Sequence, residues 1–227
     1  MARIKWDEIG YKEYEIGVDR CVFFPMDDTG KYEKGEPWNG VTEVAEKPSG
    51  AEPTKLWADN RKYITVYSAE EFAYSITAYM FPDGFLECDG AAQIAKGVYA
   101  RQQKRRKFGF TWRSLVGNDV QGNDYGYKLH VAYGCSSSPS EKNNSTVNDS
   151  SDIPTMSWEV STDSVEVPGF KPTGHLEIWS KNADPAKLKE FEDMLYGTDG
   201  ESGTGTESKL PSLEEIIEIF GEAVVAG

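Results

Sequence analysis

Two histidines, three cysteines and a surplus of acids are the side chains from which this 227-residue chain could build a chemical site. His130 and His175 are the only imidazoles. Each lies inside an alternating, strand-like run, which favours a structural or surface role over general acid-base catalysis or metal ligation. Cys21, Cys88 and Cys135 are widely spaced and odd in number, which argues against a disulfide framework and against a CxxC zinc site. Glu70-Glu71 could act as acid and base in a glycosidase, but a chain with 38 Asp and Glu produces such pairs by chance. Asp27-Asp28-Thr29-Gly30 suggests calcium, yet it lacks the alternating ligands and the distant Glu of an EF-hand loop, so a plain turn is expected. GxSxG, HExxH, the phosphate loop and GxGxxG are all absent. The expectation is therefore a protein without catalytic residues, metal or cofactor, with a carboxylate-pair hydrolase as the enzyme to exclude.

The sharpest local anomaly is basic. Arg101-Gln102-Gln103-Lys104-Arg105-Arg106-Lys107-Phe108-Gly109-Phe110-Thr111-Trp112-Arg113 joins cations to rings in a chain of net charge -14. Such a mixture could grip nucleic acid through phosphates and stacking. However, Phe108, Phe110 and Trp112 share one face at period two, where a core would place them, and the overall charge repels phosphate. A charged edge or subunit interface fits better, with Arg105 and Arg106 as candidate contacts to an acidic surface of another subunit.

The elements that must position these residues are mostly strands. Residues 11–24 read as one or two strands and 25–38 as a turn-rich connection. Tyr63 to Tyr67 alternates, and Phe72, Tyr74, Ile76, Ala78 and Met80 share a face. Glu87 to Ala95 is ambiguous, with a helical turn as one reading. Tyr125, Tyr127, Leu129, Val131 and Tyr133 give the clearest strand, while Ser136 to Asp152 is a polar loop. Met156 to Val160 and Leu176 to Ile178 extend the sheet. Asp184 with Pro185 caps a helix bearing Leu188, Phe191, Met194 and Leu195. Ser212 and Glu215 form a capping box before a second amphipathic helix. These signals predict a mainly β, antiparallel sandwich or barrel-like domain over residues 1–197. A flexible linker at 198–210 and a C-terminal helical arm at 211–227 follow.

Hydrophobic content of 38% and charged content of 27% are those of a globular protein, and no apolar run of about 18 residues exists to span a membrane. The first residues show no signal-peptide pattern, so a chain made and used without export is expected.

The segment Gly40 to Arg61 is the least ordinary connection. With Pro48, Pro53, Gly40 and Gly50 and balanced charge, it reads as a long loop, and loops of that length inside a domain usually have a function. Leu56 and Trp57 sit in it among charges. They are candidate apolar anchors, and Glu46, Lys55, Asp59, Asn60, Arg61 and Lys62 are candidate polar contacts, for a neighbouring subunit.

A series of collinear motifs then resembles one family. Val44-Ala45-Glu46-Lys47-Pro48-Ser49-Gly50-Ala51-Glu52-Pro53-Thr54 with Leu56-Trp57-Ala58-Asp59-Asn60 is similar to major tail proteins, the tail-tube subunits of long-tailed, non-contractile bacteriophages. Ser68-Ala69-Glu70-Glu71-Phe72, Glu87-Cys88-Asp89-Gly90, Asp124 to His130 and Ser138 to Lys142 follow in the same order. Lys171 to Leu176 and Leu195 to Thr198 complete the series, which covers roughly Val41 to Thr198. The resemblance implies a tail-tube β fold and hexameric rings stacked into a hollow virion tail, from subunits made in the host bacterial cytoplasm. It also implies contacts with tail tip, tape-measure and tail-terminator proteins, passage of phage DNA through the lumen without specific binding, and no catalysis. The competing expectation is a soluble β-sandwich module that binds carbohydrate or peptide.

Overall fold

The alternation from Tyr125 to Tyr133 belongs to a strand covered on both faces, so the sheet is an inner layer instead of a half-exposed one. The computed structural model describes residues 3–144, 146, 153–200 and 205–221. In chain order its first strands are β1 (Glu13–Pro25), β2 (Glu36–Pro37), β3 (Val41–Glu46), β4 (Ser49–Gly50), β5 (Pro53–Ala58), β6 (Arg61–Tyr67), β7 (Glu70–Glu71) and β8 (Ala73–Ala78). After the short helix α1 (Phe85–Cys88) come β9 (Ala91–Ala95), β10 (Val98–Arg101), β11 (Phe108–Asn118), β12 (Gly122–Ser137), β13 (Met156–Ser161) and β14 (His175–Trp179). Helices α2 (Pro185–Tyr196) and α3 (Leu213–Phe220) follow.

The fold is mainly β, antiparallel and sandwich-like, with few helices. Strands β2, β1, β11 and β12 pair in that order, and β14 adds to β12 along Lys128 to Ala132. At Ser136 and Ser137, β12 leaves this layer and pairs with β13, which continues through β8 to β3. The chain therefore folds one forked sheet over itself. Between the two layers lies an aromatic core that includes Phe23, Trp38, Tyr74, Phe85, Phe110 and Trp158. Trp38 sits at its centre, with ring centroids of Phe85, Phe110 and Trp158 at 4.6, 5.6 and 5.6 Å, and its Nε1 donates to the Met80 carbonyl at 2.8 Å. A tryptophan can be this deeply buried because its one polar atom is satisfied.

The opposite face of β12 is closed by the helices. Leu129, Val131 and Tyr133 pack with Leu188, Phe191, Leu195, Ile216 and Ile219. Asp184 caps α2 by accepting from the amides of Ala186 and Lys187, and the Ser212/Glu215 capping box forms at α3. The described helix α3 is not an outstretched arm: Lys187 Nζ donates to the Phe220 carbonyl at 3.1 Å, and the rings of Phe191 and Phe220 lie 5.9 Å apart. Residues 222–227 of the expected arm lie outside the described residues.

The described parts of the 198–210 linker are also tied down. Thr198 and Thr206 exchange backbone and side-chain hydrogen bonds, Ser208 Oγ accepts from the Gly35 amide at 3.0 Å, and Leu210 is buried. Composition alone implies flexibility because the anchors are backbone groups, a few small hydroxyls and one leucine. Gly109 makes room for that leucine, since a Cβ there would lie 2.3 Å from Leu210 Cδ2. The three cysteines are free and buried, and burial pushes each thiol up to about 12. They are inert packing groups. Among the described residues, no helix is long and apolar enough to cross a membrane.

Candidate functional site

The segment Gly40 to Arg61 is not an irregular loop. Val41 to Glu46 forms β3 inside the sandwich, and Pro53 onward forms β5, which turns back into β6. The turn is Asp59-Asn60, between the paired Ala58 and Arg61, with φ of 50° and 56°. Two positive φ values in a two-residue loop match the right-handed twist of a hairpin, and Asp and Asn tolerate them better than most residues. That dipeptide was the available sequence signal. It was hidden because the flanking pairs match across strands only once Leu56 faces Ile64 and Thr54 faces Val66.

This hairpin carries most of the expected contact residues and is about 20 Å long at the usual rise per residue. Trp57 is 68% exposed, Tyr63 74% and Tyr67 67%, while Leu56, Ile64 and Val66 are each about half exposed. Lys55, Asp59, Asn60, Arg61 and Lys62 are exposed as well, and none of them makes an ion pair or side-chain hydrogen bond among the described residues. The hairpin leaves the domain through a narrow root, where Ser49 pairs with Glu71 and Gly50 with Glu70. Gly50 has φ of 88°, and a Cβ there would meet the Ala69 carbonyl oxygen at 2.1 Å.

Arg105 and Arg106 are placed elsewhere and are occupied within their own chain. Arg105 Nη1 donates to Ser137 Oγ at 3.1 Å and to the Cys88 carbonyl at 3.3 Å. Arg106 donates to the Met26 carbonyl, to Glu33 at 2.6 Å and to Glu87 at 3.3 Å. With Arg101 on Asp89 and Lys107 on Asp163, the basic run clamps α1 and neighbouring loops to the sandwich. Acids scattered through the sequence converge on these cations, so a contact of Arg105 or Arg106 with another subunit would be made by side chains already paired within the chain. The ambiguous segment Glu87 to Ala95 resolves into the end of α1 and the strand β9, which forms a second exposed hairpin with β10. Asp27 closes the expected turn, accepting from Thr29 and Lys31 amides at 2.8 Å each.

One constellation was not visible in the sequence. Register across β12 and β14 brings His130 opposite Glu177 and Ala132 opposite His175, so both imidazoles face the space between the layers. Glu46, the last residue of β3, closes over them from the other layer. His130 Nδ1 is 3.2 Å from His175 Nε2 and 3.6 Å from Glu46 Oε1. His130 Nε2 lies 2.9 Å from Ser114 Oγ, whose hydroxyl donates to Glu15 at 2.5 Å. Trp112 lies parallel to both imidazoles, with centroids 4.7 and 5.4 Å away, and Phe72 stacks on His175 at 4.2 Å. Burial lowers the pKa of both histidines, His175 to about 4, assisted there by the neighbouring His130. Burial and the adjacent Glu177 and Glu15 raise that of Glu46. Glu15 is lowered: burial opposes its charge, but hydrogen bonds from Lys128 and Ser114 outweigh that.

The hairpin and the cluster are neighbours along the chain. Glu46 precedes the hairpin root and Phe72 follows it, so both ends of the excursion meet at His175. Comparison with protein-family models and with curated proteins returned no match to this chain.

Proposed function

We propose that this chain is a self-assembling structural subunit of a phage tail tube, forming hexameric rings that stack into a hollow conduit for DNA. The observation that carries this reading is the β5–β6 hairpin. A two-stranded hairpin alone is marginally stable in water, and this one exposes Trp57, Tyr63 and Tyr67 together with Leu56, Ile64 and Val66. Apolar groups clustered on a projecting element are the usual mark of an association surface. The occupant is a second copy of this chain, whose sheet edges and exposed apolar segments offer both backbone and side-chain partners. Ile94, Val98 and Tyr99 on β9–β10, and Ile4, Trp6, Ile9 and Tyr11 near the N-terminus, are such segments. The net charge of -14 suits a conduit that must not adhere to phosphate.

The test is sedimentation velocity over a wide concentration range, on the full chain and on a variant with residues 53–67 replaced by a short glycine-serine turn. Large species in the full chain and a monomer in the variant are expected. A full chain that stays monomeric at every concentration overturns the proposal and favours a ligand-binding module.

A further inference from the structure

We propose that Glu46, His130, His175 and Glu177 form a structural binding site for a divalent transition-metal ion, with Zn²⁺ as the best-suited ion, at the root of the projecting hairpin. The inference stands independently of the assembly reading. One ligand atom from each of the four residues lies within 4.8 Å of all the others. Tetrahedral zinc with ligands at 2.0–2.1 Å separates them by about 3.4 Å. The His130–His175 and His130–Glu46 separations of 3.2 and 3.6 Å bracket that value. Every remaining pair includes a carboxylate and lies within 4.8 Å, so rotation of the two exposed carboxylates closes the rest.

The groups behind the ligands are arranged as a metal site requires. Ser114 donates its proton to Glu15, so it accepts from Nε2–H of His130, which leaves the Nδ1 lone pair directed at His175 and Glu46. Glu177 Oε2 accepts from Trp179 Nε1 at 2.8 Å and faces Lys128 at 3.7 Å, leaving Oε1 as the ligand oxygen. Trp112 and Phe72 fix the planes of the rings. Charge points the same way. Among the described residues Lys128 is the one ammonium beside Glu15, Glu46 and Glu177, so with neutral imidazoles three negative charges meet one positive and two remain uncompensated.

Two imidazole nitrogens and two carboxylates select a borderline ion over Mg²⁺ or Ca²⁺, which demand more oxygens. Four protein ligands leave no open position, so the role is structural. On binding, His175 shifts its proton from Nε2, where it is donated to His130 Nδ1, to Nδ1, so both imidazoles present a lone pair to the ion and neither loses a net proton. Because Glu46 comes from one layer and the other three from the opposite layer, the ion ties the layers together where the hairpin departs.

The experiment uses untagged full-length protein, stripped with chelator and titrated with Co²⁺, then with Zn²⁺. One equivalent of Co²⁺ with the intense visible bands of tetrahedral coordination, displaced by one Zn²⁺, is expected, and Zn²⁺ should raise Tm by about 5 °C at saturation. Glu46→Gln and Glu177→Gln alter exposed side chains that the fold does not need, and each should weaken binding by about 10-fold or more. His175→Gln should abolish the tetrahedral spectrum, while Glu159→Gln, away from the cluster, leaves affinity unchanged. No stoichiometric binding, or affinity retained in both glutamate variants, overturns the proposal.

Discussion

Replacing Trp57 by alanine separates the role of the hairpin from that of the sandwich. The side chain is 68% exposed, so its removal takes no support from either core. Stability of the free subunit should change by less than about 0.5 kcal/mol, the usual range for surface substitutions. In the proposed assembly the same ring would be an anchor. A tryptophan buries about 200 Å² in full, so the exposed two-thirds offers about 140 Å², or about 3.5 kcal/mol at 25 cal/mol per Å². At 1.4 kcal/mol per tenfold, that corresponds to a rise of about 300-fold in the subunit concentration required for assembly. Light scattering across a dilution series measures this threshold directly, and a melting curve of the dilute subunit supplies the control. An unchanged threshold with an unchanged melting curve would refute the argument that exposed rings on the hairpin drive association.

Amides of β5 and β6 should exchange with solvent quickly in the free subunit and at least 10-fold more slowly once assembled, as hydrogen-exchange mass spectrometry would read out; equal rates in both states contradict a hairpin completed by a neighbour. Ile216→Ala in α3 removes a buried side chain and should cost about 2–3 kcal/mol, lowering Tm by about 5–10 °C in calorimetry. Ser212→Ala breaks the capping box and should cost about 1 kcal/mol by denaturant titration. Asp19 accepts a two-pronged hydrogen bond from Arg113 at 2.7 and 2.6 Å, which holds its carboxyl below the ordinary value of 3.8. The stabilisation is therefore fully present above the unfolded-state pKa and is lost as pH falls through the lower folded-state value. Asp19→Asn should flatten stability against pH below about pH 4, and an unaltered slope would contradict the pairing.

Much of the architecture was legible wherever local rules dominate. The alternation around Leu129, the Asp184-Pro185 start of α2 and the capping box of α3 all correspond to elements at those positions, because caps and periodicity are set within a few residues. What was missed depends on pairing between distant segments. Gly40 to Arg61 looked structureless because its turn, Asp59-Asn60, lacks the usual glycine and its strands gain their regularity only from each other. Strand β1 was readable as one or two strands because bulges beside Asp19 interrupt its period. Arg105 and Arg106 looked like available cations since their partners, Glu33, Glu87 and Ser137, are remote in sequence.

The histidines show the same limit. Separately, each reads as an ordinary strand residue, and only the antiparallel register of β12 with β14, roofed by Glu46 of β3, brings them together as the proposed ligand set. The layering is equally a product of distant contacts. A strand bearing Leu129 on one face and His130 on the other reads as half-exposed until two helices are seen to cover the first face and a second sheet layer the other.

Negative-stain electron microscopy of concentrated, untagged protein tests the assembly claim most directly. Hollow tubes or stacked rings are the predicted result. A field containing only compact single-subunit particles, at concentrations well above the scattering threshold expected for Trp57-anchored contacts, would contradict it.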